Sequence, residues 1–103
     1  MRLEHLVQKD LERKLVEIVG KYLDLTKYKV FFFGSRVTGK GSEHSDIDIG
    51  IEGPEPVSWQ VMSEIENEID NLDLLYSVDF VDFSAVSDSF KEVAMQGVEY
   101  IHV

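Results

Sequence analysis

Phe31-Phe32-Phe33-Gly34-Ser35-Arg36, followed after eight residues by Ser45-Asp46-Ile47-Asp48-Ile49-Gly50-Ile51, is the stretch on which the architecture turns. The run from Lys29 to Phe33 is short, aromatic and β-branched, as a buried strand requires. It leads directly into a segment rich in glycine and hydroxyl residues, ending at Ser42. Ile47, Ile49 and Ile51 then alternate with Asp48 and Gly50, the period of a second strand.

Outward from this pair of strands the chain reads as helix and strand in turn. Residues 2–24 carry Leu3, Leu6, Val7, Leu11, Leu15, Ile18, Val19, Tyr22 and Leu23 at helical spacing. Glu, Lys and Arg fill the other face, so a long amphipathic helix is expected, its stripe given to the core or in part to a partner. Glu52-Gly53-Pro54-Glu55-Pro56 holds both prolines and is a loop. Ser58 is placed to cap a helix with Trp59, Met62, Ile65, Ile69 and Leu72 on one face. Residues 76–83 alternate again, with Val78, Phe80 and Asp82 on one side and Asp79, Val81 and Phe83 on the other. A short helix is expected over 87–96, with Phe90, Val93 and Ala94 inward and Gly97 as its stop. Residues 98–103 suit a last edge strand. With a short helix after Gly34-Ser35, the order predicts an α/β (α+β) fold: a small mixed β-sheet with helices packed against one face. The site is expected at the end of the first two strands.

Composition narrows the function. A length of 103 residues fits one domain over 1–103, and 44% apolar residues suffice for a core. The absence of cysteine excludes disulfides, thiolate zinc sites and cysteine nucleophiles. Charges run through the first twenty-odd residues, and no apolar run reaches membrane-spanning length, so a cytoplasmic location is expected. Twenty acidic against ten basic residues give a net charge of −10, which repels nucleic-acid backbones. A small polyphosphate arriving with Mg²⁺ is compatible with that field. A domain this small exposes much of its surface, so a protein partner or an oligomer is plausible.

The chemistry is carried by few residues. Gly34 at the exit of a buried strand lets backbone approach a ligand closely, and Ser35 adds a hydroxyl, so the pair suits a phosphate. Asp46 and Asp48 lie two apart, on one face of a strand, with Cα atoms about 7 Å apart. Two such carboxylates repel unless a cation joins them, and hard oxygen donors suit Mg²⁺. Asp79 in mid-strand is costly unless paired or metal-bound, and it completes a triad if the third strand lies beside the second. Asp82 is the rival third carboxylate, on the opposite face. Arg36 and Lys40 offer charge for phosphate or for solvent, and His44 reads as polar loop filler. Residues 34–41 approach a Walker A loop, but Gly41 stands where Ser or Thr must follow the lysine.

Gly-Ser, then ten residues, then Asp-x-Asp resembles the signature of the polymerase-β-like nucleotidyltransferase superfamily. The wider context, over residues 30–83, is especially similar to the minimal nucleotidyltransferases of bacteria and archaea. The resemblance implies that Gly34 and Ser35 bind a triphosphate, with Arg36 and Ser45 at flanking nucleotide-binding positions. It implies that Asp46, Asp48 and Asp79 are catalytic and hold one or two Mg²⁺ ions. ATP is the implied substrate and AMP the implied group transferred. A small helical HEPN-type protein is the implied partner and acceptor, with this chain as antitoxin of a toxin–antitoxin pair. A non-catalytic, nucleotide-binding module that masks a helical partner is the alternative, and a nucleic-acid-binding regulator conflicts with the charge.

Overall fold

The computed structural model describes residues 8–39, 46–72, 74 and 76–102. Its order is α1 (Gln8–Gly20), β1 (Lys29–Phe33), α2 (Ser35–Thr38), β2 (Ile47–Glu52), α3 (Trp59–Asp70), β3 (Val78–Asp82), α4 (Asp88–Ala94) and β4 (Glu99–Tyr100). The four strands form one sheet in the order β3-β2-β1-β4. β1 runs antiparallel to both β2 and β4, whereas β2 and β3 are parallel. Parallel neighbours need a crossover, and α3 is that connection. The expected mixed sheet with packed helices is therefore observed.

Strand alternation assigns the two faces. Ile47, Ile49 and Ile51 are fully buried in a core with Val30, Phe32 and Phe80, under Leu11, Leu15, Ile18 and Val19 of α1 and Ile65 and Ile69 of α3. Each such side chain contributes roughly 1.5–3 kcal/mol on burial. A one-residue slip of β2 would exchange three isoleucines for Asp48 and Gly50, so the register is fixed by that difference. Lys21 and Tyr22, just past α1, both donate to the Glu68 carboxylate and tie α1 to α3. On the opposite face Phe31, Phe33 and Phe83 form a second, aromatic cluster. The Phe83 ring meets both others edge-on at 4.9 Å between centroids. Gly50 makes room for it: a Cβ there would stand 2.5 Å from Phe31 and 2.8 Å from Phe83.

Several expectations are corrected. The first helix ends at Gly20, where Lys21 and Tyr22 switch to bonds three residues back; its predicted start at 2 lies outside the described residues. The helices do not all lie on one face, since Ala94 and Met95 at the end of α4 pack on the aromatic cluster. Trp59 is 74% exposed. Six residues before Ile65, it points about 120° away from it on a helix of 3.6 residues per turn. Met62 packs on the core as expected, and Val61 joins it there in place of Trp59. Val93 is exposed at 69% and Phe90 at 44%: no residue of α4 is fully buried, Ala94 is part-buried against the aromatic cluster, and the Phe90 ring leans on Phe83 at 5.7 Å between centroids. The last strand is confined to Glu99–Tyr100.

Candidate active site

The sheet brings the chemistry-bearing residues to one end of its three neighbouring strands. Phe33 on β1 is the register partner of Asp48 on β2, and Asp48 is the register partner of Asp79 on β3. Burial of the isoleucines turns Asp48 to the other face, the one that carries Phe33. Asp79 stands beside it, exposed, and Asp46 is exposed one residue before β2 begins. Asp48 itself is part-buried. Burial first, then the charges of Asp79 and Asp46, then a hydrogen bond with Asp79, push its carboxyl from the ordinary 3.8 up to about 6. Burial and neighbouring like charges both disfavour the ionised carboxylate.

The donor set fits a divalent cation. Among the described residues no three acidic or histidine side chains already form a metal cage. A cage is not what Mg²⁺ needs, since it binds through one or two carboxylates and completes its shell with water and substrate phosphate. Asp48 and Asp79 are the close pair, and Asp46 is near enough for its charge to act on Asp48. The site is open on the β3 side: a cleft of about 560 Å³ reaches from Asp48 and Asp79 around the β3 edge, with Phe33, Asp70 and Phe90 among its lining residues.

Gly34 closes the other side. It follows β1 with a φ of +82°, a region L side chains rarely adopt. A Cβ there would fall 2.0 Å from Oδ2 of Asp48. Glycine is thus required twice at this position, by its backbone angle and by the carboxylate pressed against it. Ser35 opens α2 immediately afterwards. Arg36, by contrast with a loop cation, is buried, and its guanidinium lies 4.6 Å over the Tyr76 ring. Ser45, Lys40 and His44 lie outside the described residues.

Asp82 has a different surrounding from Asp79. It is 8% exposed and accepts backbone N–H bonds from Val57 at 2.7 Å and Ser84 at 2.9 Å. It fastens the loop after β2 to the turn after β3, on the face opposite Asp79. Sequence reasoning missed Tyr76, which shows only as one aromatic before a strand, and the cleft walls Asp70 and Phe90, which read as surface acid and core aromatic.

This arrangement, a glycine turn pressed on an Asp-x-Asp strand with a third aspartate on the parallel neighbour, defines a nucleotidyltransferase. The chain belongs to the polymerase beta nucleotidyltransferase family, whose model matches residues 13–102. It is 32% identical over 88 residues to the probable protein adenylyltransferase MntA of Haemophilus influenzae, covering 84% of this chain and 77% of that protein. A crystal structure of a toxin–antitoxin with AMP-PNP matches with a TM-score of 0.70 at 22% identity, over 88% of this chain and 72% of that one. A chain of tri-AMPylated Shewanella oneidensis HEPN toxin in complex with MNT antitoxin matches with a TM-score of 0.69 at 20% identity, over 93% of this chain and 72% of that one. At these identities the two structures speak for the fold. No described helix is long and apolar enough to cross a membrane.

Proposed function

We propose that this chain, acting as a single domain in the cytoplasm, transfers AMP from ATP to a hydroxyl of a small helical HEPN-type protein and is the antitoxin of that pair. The juxtaposition of Asp48 and Asp79 beneath Gly34 carries the reading. The relative from Haemophilus influenzae is a probable protein adenylyltransferase, and the structural neighbours include an MNT antitoxin with its AMPylated HEPN toxin.

In this reading Asp46, Asp48 and Asp79 hold one or two Mg²⁺ ions. Bound Mg²⁺ supplies positive charge to the triphosphate and lowers the pKa of an acceptor hydroxyl. Gly34 and Ser35 cradle the phosphates, and Ser45 takes the further nucleotide-binding role that the family resemblance implies. Asp79, the exposed member of the pair, faces the open cleft and takes the hydroxyl proton. The acceptor oxygen forms its bond to the α-phosphorus as the α–β phosphoanhydride breaks, and pyrophosphate leaves with the bridging oxygen. A masking module without catalysis has no use for an Asp48 carboxylate held part-buried beside the charges of Asp79 and Asp46. The test is release of pyrophosphate from ATP in the presence of the helical partner. It is expected to stop on chelation of divalent cations and in Asp48→Asn; release that persists in both contradicts the proposal.

A further inference from the structure

The Arg36 side chain is placed in an unexpected way for a cation on a phosphate turn. It is 8% exposed, and its guanidinium carbon lies 4.6 Å over the ring of Tyr76, itself 9% exposed. Arg36 sits in α2, two residues past Gly34. Val37 beside it packs on the main core, and its N–H donates to the Gly34 carbonyl at 3.2 Å. Tyr76 belongs to that same core and lies two residues before β3. Its neighbour Ser77 accepts the Ile47 N–H at 2.9 Å, at the point where β2 and β3 begin to pair. The stack therefore spans from the Gly34-Ser35 turn to the strand ends that carry Asp46, Asp48 and Asp79.

We propose that Arg36 and Tyr76 are a positioning pair: the stacked guanidinium and ring hold the phosphate-binding turn at a fixed distance from the metal-binding carboxylates. This rests on the nucleotide-binding reading above and assigns a role to Tyr76. Planarity matters to it, since a guanidinium stacks on an aromatic face and an ammonium does so poorly. Val37 anchors the turn to the core, and the stack adds a link toward the strand ends, while Gly34 itself contributes no side chain and lies against Asp48. A displacement of the order of 1 Å at such a turn costs up to about a hundredfold in function.

The test is ATP–Mg²⁺ binding by calorimetry, with transfer rates alongside, for Tyr76→Leu, Tyr76→Phe, Arg36→Lys and the Tyr76→Leu/Arg36→Lys double variant. All are measured well below their melting temperatures. The dissociation constant is expected to rise about tenfold or more in Tyr76→Leu and in Arg36→Lys, and no further in the double variant. Tyr76→Phe keeps the ring face and is expected within about twofold of wild type. Wild-type affinity in Tyr76→Leu, even with a lowered melting temperature, makes the pair merely structural and overturns the proposal. Additive losses in the double variant also overturn it, since Arg36 then meets the phosphates on its own account. A Tyr76→Phe loss equal to that of Tyr76→Leu assigns the effect to the hydroxyl and overturns the stack. If wild type binds ATP without transferring it, the transferase reading fails while the same binding pattern still decides the pair.

Discussion

Asp48 and Asp79 stand side by side as register partners on two parallel strands, about 4.8 Å apart across the sheet. Neither position is negotiable without moving the core, because Ile47, Ile49 and Phe80 on the reverse of the same strands are buried. The fold thus forces two carboxylates together and spends part of its stability doing so.

That cost has a pH signature. The folded state holds the Asp48 proton more tightly than the unfolded chain, with values of about 6 and 3.8. Stability from this group is therefore full below the lower value and is lost as pH rises through the upper one. In metal-free protein near pH 8, Asp48→Asn is expected to stabilise by about 1 kcal/mol, a figure reduced for solvent screening at a part-exposed site. Urea unfolding at about pH 8 and about pH 4 measures it, with the gain vanishing at the acid end. Added Mg²⁺ is expected to raise the wild-type midpoint and leave the variant's unchanged. A variant no more stable than wild type at the higher pH argues that the carboxylates do not repel as described.

Gly34→Ala meets two obstacles at once. A Cβ 2.0 Å from Oδ2 of Asp48 must displace that carboxylate, and φ of +82° is strained for alanine. A loss of about 1–2 kcal/mol in stability is expected, with transfer abolished. Retained activity in a folded Gly34→Ala protein contradicts the close approach.

The two aspartates of β3 are expected to part company. Asp82→Ala leaves the Val57 and Ser84 N–H groups without their buried acceptor and should cost about 3 kcal/mol in thermal or urea unfolding. Asp79→Asn removes a charge from an exposed side chain, and should abolish transfer while changing stability by less than about 1 kcal/mol. The reverse pattern exchanges their roles.

Much of this was legible in the chain because alternation is a strong signal. Ile47, Ile49 and Ile51 announced both the strand and the face on which Asp48 must lie, and Gly34-Ser35 with Asp46-Ile47-Asp48 announced a turn against it. The parallel pairing of β2 with β3 was not legible, since nothing in either strand's own pattern names its neighbour. Register alone brought Asp79 to Asp48. Arg36 was read as a charge for phosphate or for solvent, and its stack was not legible because it depends on Tyr76, forty residues further on. Trp59 was assigned to the core on hydrophobicity, although its angle on α3 turns it to solvent.

Trp59→Ala consequently belongs with surface changes. At 74% exposure it is expected to alter stability by no more than about 0.5 kcal/mol, measured by urea unfolding. A loss of several kcal/mol would place the indole in a core that the structure does not give it.

The central claim is tested most directly by the intact mass of a co-purified HEPN-type partner after incubation with this chain, ATP and Mg²⁺. The account predicts an increase of one or more AMP groups on the partner, absent when Asp48→Asn replaces wild type. A partner of unchanged mass, with wild-type protein that binds ATP–Mg²⁺, would contradict it.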